Sequence, residues 1–596
     1  MQISGQCNQQ NRKVCGRWRL LVFADQVAHV CNQLYLRFLI GNSPDEIQAV
    51  TVLSALKNKI LQYSRLQPCA STRQKLRCAP AVMRIGYCPV GYGPASLRCW
   101  CRFFSLFWLI VGSSANAAEP KPACSTLAEL QQRLTEHINQ PKYTAALWGI
   151  KVVSLDTAKT FYAFNAHKLL TPASNTKLYT VALALDRLGP DYRISTSLYA
   201  RNKPDVSGTV SGDLTVYGRG DPGINSRNQT LLTFVNALSK ANVKRITGNL
   251  LADSSYFHGS PIGSGWLVND LQHPYGAEIS ALSINDNILN VKVTPAEQVG
   301  TPCRVTIRPA TASQFLPVNN RAITAEKGAR RTLQLHRMAS ENILDVFGQI
   351  PLGEAARSHN VPVHNPAALF ALLMSDALKS SGIELEGKAR MQEQRSEPFA
   401  FDQLTELAKV DSPPLRDLVR EILKSSQNLH ANLLLAHIGE KFRAGERSDS
   451  RTSEELGIRE LENFLAKAGI PKSEVLFEEG SGLSRNNLAT PAATVTLLQY
   501  MARHASSNIF YEALPVAGVD GTLQQRMRNT AAQSNLRAKT GTLNRDSSLS
   551  GLVRTAAGEH LIFSIMLNRY ISEGGAGAAE IDAVALMLAE FAGRSP

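Results

Sequence analysis

The sequence predicts an α+β protein in which one domain of helices and strands is split into two chain segments by a largely β insert. Three observations predict it. First, a helical pattern opens at Thr171-Pro172, continues through Leu178, Val181, Ala182, Leu183 and Leu185, and stops at Gly189-Pro190. Second, two further helical patterns, Leu415 to Lys424 and Leu429 to Ile438, and a strand-like stretch, Leu536 to Leu543, come only near the other end of the chain. Third, the interval between alternates polar and apolar residues in Ile194–Tyr199, Leu214–Tyr217 and Ile288–Val293, with one helical stretch from Ala367 to Ser381 ending near Gly382. The expected division is 118–192 and 400–596 for the split domain and 193–399 for the insert, with a nested module near 285–362.

The chain begins differently. Arg98 and Arg102 precede the apolar run Phe103 to Val111, and small residues follow to Ala118, with Ala115-Asn116-Ala117 as an A-x-A cleavage site. At nine residues this almost wholly apolar run is too short to span a bilayer. Residues 98–117 therefore read as a secretory signal peptide, with the mature chain starting at Ala118 or Glu119. Residues 1–97 read as an upstream extension with the true start near Met83; a cytoplasmic arm is the alternative. The first 117 residues carry a net charge of +11, which leaves +4 of the chain's +15 after cleavage. That mild balance gives no argument for nucleic acid. Cys124 and Cys303 alone survive cleavage, and an exported chain permits their pairing without requiring it.

Three short motifs carry the chemistry: Ser174-Asn175-Thr176-Lys177, Ser426-Gln427-Asn428 and Lys539-Thr540-Gly541. As SxxK, SxN and KTG in this order they form a catalytic set. A serine hydroxyl needs a neighbouring base, and i,i+3 spacing puts Lys177 on the helix face of Ser174. With Thr171 as cap and Pro172 in the first turn, Ser174 falls where free N–H groups favour developing negative charge. Lys177 serves as base only when neutral; burial and a second cation, Lys539, push its pKa down. Ser426 can relay a proton to a leaving amine, and Asn428 can hold Lys177 and a substrate amide. Lys539 and Thr540 can grip a carboxylate, and Gly541 lets a substrate backbone come close. Alone, each motif is also an ordinary helix face, turn or strand end.

Longer phrases extend the pattern: Gly212-Asp213-Leu214, Gly220-Asp221-Pro222, Ala252 to Phe257, Ala281 to Asn287, Gly480 to Arg485 and Gly518 to Leu523. From about 125 to about 590 the chain resembles the low-molecular-mass class C penicillin-binding proteins, the D-alanyl-D-alanine carboxypeptidase/endopeptidases. The resemblance implies a penicillin-binding DD-peptidase fold, an antiparallel sheet flanked by helices. It casts Ser174 as the acylated nucleophile and Lys177 as its base, with Ser426, Asn428 and Lys539 beside them. Thr540, Gly541 and Thr542 would line the substrate, the N–H groups of Ser174 and Thr542 forming the oxyanion hole. Arg485 and Asp253 are candidate contacts to the peptide stem. No cofactor or metal is implied. The implied partners are peptidoglycan stem peptides and, as covalent inhibitors, β-lactams; the implied location is periplasmic or exported. Gln427 stands where the family usually has Asp, and Asn432 where it tends to have Glu; neither position carries a named role.

Two rival classes fit the residues less well. Gly218-Arg219-Gly220-Asp221-Pro222-Gly223 fits GxGxxG after a strand and before a helical run, Gln229 to Ala241. Its strand alternates as antiparallel strands do, and Asp253 lies too far on to be the ribose acid, so a dinucleotide-binding oxidoreductase is the remote reading. A non-catalytic wall-binding protein on the same scaffold would have lost a motif residue, and none is lost.

Overall fold

The computed structural model describes residues 124–225, 230–392, 403–443, 450–571 and 577–595. The expected leader, its cleavage site and the start near Met83 lie outside them. The described chain opens with a helix, Leu127–Ile138, started by a capping box between Thr126 and Glu129. Strands β1 (Leu147–Ser154) and β2 (Thr160–Phe164) follow, then a short 3-10 turn, Ala173–Asn175, and the helix Thr176–Leu188. Five strands of a second sheet come next, with other strands between them: β3 (Ser195–Ala200), β4 (Leu214–Tyr217), β5 (Leu250–Asp253), β6 (Ala389–Gln392) and β7 (Thr405–Asp411). After the helices Leu415–Lys424, Asn428–Lys441, Ser453–Lys467 and Pro491–Ala502 come β8 (Arg537–Leu543), β9 (Asp546–Arg554) and β10 (His560–Asn568). The helix Ala578–Ala589 follows them.

Two five-stranded sheets organise these strands. The first runs β8-β9-β10-β1-β2 and is antiparallel throughout. It joins the two ends of the described chain, since Ile150 of β1 faces Ile565 of β10. Helices cover both faces. Leu561, Phe563, Ile565 and Leu567 pack with Leu130, Leu134, Ile581 and Val584, while Ile562 turns to the core of Tyr179, Leu434 and Leu498. This alternation is the period-2 pleat of a sheet buried on both sides. Each such side chain contributes about 1.5–3 kcal/mol on burial.

The second sheet runs β6-β5-β4-β3-β7 and is mixed: β4 pairs parallel with β5 and antiparallel with β3. It takes in β7, which pairs with β3 from Thr405 to Asp411 and so extends past the boundary expected at 399. Between β5 and β6 lie two three-stranded sheets. Ile288–Thr294 pairs with Arg304–Arg308 and Arg357–Pro362, and Leu344–Pro351 pairs with Val318–Ala325 and Gln334–Arg337.

The helix Thr176–Leu188 corrects one expectation. Its residues Thr176 to Leu185 are all buried, which excludes the surface-helix alternative to the motif. Thr171 is not its cap. The Thr171 main chain is tied to the Asn568 side chain by two hydrogen bonds of 2.7 and 3.1 Å. Ala173 has φ +47, which an α-helical entry does not allow, so Ser174 sits in the 3-10 turn before the helix. Cys124 and Cys303 are both buried free thiols. Among the described residues no helix is long and apolar enough to cross a membrane.

Candidate active site

The 3-10 turn that carries Ser174 is pinned from three sides. Asn175 donates to Ser550 Oγ at 2.7 Å, and Ser548 Oγ donates to the Pro172 carbonyl at 2.6 Å. Gly541 of β8 lies so close that a Cβ there would collide with Ser548 Oγ and the Pro172 carbonyl oxygen. The glycine of KTG thus serves the approach of its own strand to the Ser174 turn, where the sequence suggested an approach by substrate. Gly482, at φ +83, lies equally close to the Ala173 carbonyl.

Lys177 Nζ is 2.9 Å from Ser174 Oγ, 2.6 Å from Asn428 Oδ1 and 2.6 Å from the Ser481 carbonyl oxygen. The residue is wholly buried. Burial pushes its pKa down to about 7, against the nearby Glu479 carboxylate, which favours the charged form. Lys539 is also wholly buried; its Nζ lies 2.8 Å from Ser426 Oγ and 2.7 Å from the Thr540 carbonyl oxygen. Burial, reinforced by the charge of Lys177, holds its pKa well below the usual lysine value. Burial thus acts on both lysines, as the sequence led one to expect, and their mutual repulsion works in the same direction.

Ser426 and Asn428 lie at the break between the helices Leu415–Lys424 and Asn428–Lys441. Ser426 has φ +62, a strained position for a residue with a Cβ and one that clusters at functional sites. Thr540 donates to Thr522 Oγ1 at 2.7 Å. Strand β8 is an edge of its sheet, and Ala538 N–H points away from β9, to the Pro515 carbonyl at 3.0 Å. By the period of two, Thr540 and Thr542 turn their N–H groups to the same open side. Ser174, Lys177, Ser426, Asn428, Lys539 and Thr540 therefore gather around the two buried lysines, with Gly541 packed beneath the Ser174 turn.

Several contributors had no motif of their own. Glu479 is fully buried and accepts from Ser481 N and Oγ at 2.8 and 2.6 Å, Gly482 N at 2.5 Å and Asn487 Nδ2 at 2.8 Å. It shapes the loop whose Ser481 carbonyl meets Lys177; the phrase Gly480 to Arg485 was its only signal. Asn432, the position that departs from the family, takes Gly480 N on Oδ1 at 2.9 Å and so supports the same loop. The Tyr275 carbonyl, in the insert, accepts from Asn428 Nδ2 at 3.0 Å, and nothing in the sequence marked it.

The two stem-contact candidates fare differently. Asp253 ends β5 in the second sheet, fully buried, and its Oδ1 accepts from Ser255 N at 2.9 Å as a turn cap does. Arg485 stays partly exposed in the Glu479 loop, donating to Asp546 Oδ2 at 2.8 Å and to the Asn544 carbonyl at 3.1 Å.

The glycine-rich phrase at 218–223 makes no phosphate cradle. A Cβ on Gly218 would strike the Ala281 carbonyl, and one on Gly220 the Phe257 ring. The Gly220 amide is spent on the Ala281 carbonyl at 2.6 Å. The expectation from alternation holds on one side of β4 only, since β4 is parallel to β5; the occupied glycines and amides exclude the site instead.

Comparison with known proteins agrees with this geometry. A family model described as D-Ala-D-Ala carboxypeptidase 3 (S13) family matches residues 130–591. A D-alanyl-D-alanine carboxypeptidase of Actinomadura sp. is 32% identical over 495 residues, covering 81% of this chain and 88% of that protein. The crystal structure of penicillin binding protein 4 (dacB) from Haemophilus influenzae superposes with a TM-score of 0.66 at 25% identity, over 79% of this chain and 100% of that one. The same Haemophilus protein complexed with a β-lactam superposes at 0.61 and 24% identity, over 77% and 97%.

Proposed function

The chain belongs to the D-Ala-D-Ala carboxypeptidase 3 (S13) family, and from that premise we propose a serine DD-peptidase working through an acyl-enzyme at Ser174. Its substrates are the terminal D-Ala-D-Ala bond of peptidoglycan stems and D-Ala-to-diamino-acid crosslinks. The observation that carries the assignment of the site is a buried lysine with its pKa pushed to about 7, within 2.9 Å of a serine hydroxyl.

The steps follow from the contacts. Neutral Lys177 takes the proton of Ser174 Oγ as Oγ forms a bond to the carbonyl carbon of the penultimate D-Ala. The substrate lies along the open edge of β8, as an added strand does. The N–H groups of Ser174 and Thr542 receive the developing oxyanion. The C–N bond then breaks, and the leaving amine takes the proton that Lys177 had accepted, relayed through Ser426, which lies 2.8 Å from Lys539 Nζ, so that Lys177 is neutral again. Water attacks the ester, its proton passes back to Ser174 Oγ, and the stem leaves with a free D-Ala carboxylate. Lys539 and Thr540 hold the terminal carboxylate of the substrate. A β-lactam carbonyl enters the same path and stops at the ester. Export by residues 98–117 places the enzyme at its substrate.

One experiment tests both parts. The exported protein is treated with benzylpenicillin and its intact mass and peptides are measured. Wild type should start at Ala118 or Glu119 and gain one penicilloyl group, on the peptide with Ser174; Ser174→Ala should gain none while keeping its melting temperature. Labelling that persists in Ser174→Ala removes Ser174 as nucleophile. A mature start upstream of Arg98 removes the export reading alone.

A further inference from the structure

We propose that the insert carries a positioning element for acylation, the strap Leu267–Gly276, which Arg337 locks in place and which fixes the facing of the Asn428 amide. This rests on the site reading above.

An asparagine amide has an acceptor end and a donor end, and at Asn428 the two ends have different neighbours. Oδ1 takes Lys177 Nζ at 2.6 Å, and Nδ2 gives to the Tyr275 carbonyl at 3.0 Å. Asn428 is buried at 8% exposure, so water is a poor substitute for either neighbour. Turned over, the amide would set an oxygen against the Tyr275 carbonyl and an NH2 against Lys177. The Tyr275 carbonyl therefore selects the orientation in which Oδ1 holds the base against Ser174.

That carbonyl has to be held still, and Leu271 is the one apolar side chain the strap Leu267–Gly276 buries. The strap is two short 3-10 turns, Val268–Gln272 and Pro274–Gly276, and Leu267, Val268 and Tyr275 are exposed. Polar contacts do the holding. Asp270 Oδ2 accepts from Leu267 N at 2.9 Å. The Gln272 amide pairs with the main chain of Arg337 at both ends, at 2.7 and 2.9 Å. The Arg337 guanidinium, 2% exposed, donates to the carbonyls of Met338, Glu341 and Leu271 at 2.9, 2.8 and 3.3 Å, and its Nε is buried without a partner. A buried cation hydrogen-bonded to carbonyls is a costly way to hold a loop, since an apolar side chain of similar size is often neutral or stabilising in such a place. The cost is accounted for if the position of the strap matters more than its stability. Arg337 and Gln272 touch no reacting atom; they act through Tyr275 on Asn428.

The test is a double-mutant cycle read as the second-order rate of acylation by benzylpenicillin, with melting temperature beside it. Arg337→Met and Gln272→Leu should each slow acylation, by roughly 10- to 100-fold for a displacement near 1 Å. In an Asn428→Ala background neither should slow it further, because the amide they orient is gone. Single variants that acylate at the wild-type rate overturn the proposal, as does the same fold-loss in both backgrounds, the mark of a merely structural role. If Arg337→Met does not fold, Gln272→Leu, on a half-buried strap residue, carries the cycle alone. Wild type that never reacts with penicillin would instead overturn the function proposed above.

Discussion

The two five-stranded sheets differ in what their strands are free to do. In the first, β8 is an edge whose Thr540 and Thr542 N–H groups face outward, and its glycine brings it onto the Ser174 turn. In the second, β4 and its glycines are closed in by Ala281, Phe257 and β5. An open edge is a liability for a sheet. Placed beside a nucleophile, it becomes a template for a peptide. The sheet with the open edge holds the chemistry, and the three-stranded sheet that ends in Arg337 holds the strap that aims it.

The largest effects should come from the lysines, and they should differ. Lys177→Ala should cut acylation by about 10²–10⁴ for penicillin and peptide alike, as the loss of a general base does. Lys539→Ala should raise KM as well as lower kcat, since it removes a carboxylate grip. The sign of the pH dependence follows from the direction of the shift. Lys177 must be neutral to take a proton, and burial puts its pKa at about 7. The penicillin acylation rate should therefore climb with pH through about 7 and level off above it. A profile that stays flat there would remove Lys177 as the base.

A matched pair of glycines tests the comparison of sheets directly. Gly541→Ala and Gly218→Ala each set a Cβ against a main-chain carbonyl, of Pro172 in one case and of Ala281 in the other. Both should cost about 1–3 kcal/mol of stability through overpacking. Only Gly541→Ala should also slow acylation, because relief of its collision moves β8 off the Ser174 turn. Thermal melts alongside acylation rates separate the two. Equal slowing by both variants would mean that the second sheet reaches the chemistry as directly as the first.

The chemistry was legible where it needs a residue type at a local spacing. Ser174 and Lys177, Ser426 and Asn428, and Lys539 and Thr540 are each within three positions, and no substitute supplies a hydroxyl, an amine or an amide there. Support from carbonyls was not legible. Ser481 and Tyr275 give main-chain oxygens to Lys177 and Asn428, and any residue has one. The start of the nucleophile helix misled because Thr171-Pro172 spells a cap, while Ala173 at φ +47 breaks the helical path and the α-helix begins only at Thr176. Strand β7 was missed because Thr405–Asp411 buries only Val410 fully and shows no alternation; its pairing with β3 is a tertiary choice.

The smallest expected effect sorts Asp253 from Arg485. Both were candidates for the peptide stem, one for an amine and one for a carboxylate. Asp253 belongs to the closed sheet: fully buried, with a carboxylate oxygen on the Ser255 amide. Arg485 belongs to the open one: its side chain is 39% exposed beside the β8–β9 turn, in the loop that Glu479 shapes. Its ion pair with Asp546 leaves it able to turn to a substrate carboxylate, a charge-assisted contact worth about 1.5–3 kcal/mol when desolvated. Three acylating partners decide the matter: a stem peptide with a diamino acid, a generic D-Ala-D-Ala peptide and penicillin. Arg485→Ala should slow the first selectively, by about tenfold or more. Asp253→Asn should treat all three alike, because it loosens a turn and touches no ligand. If Asp253→Asn were the selective variant and Arg485→Ala the even one, the division of labour between the two sheets would be reversed.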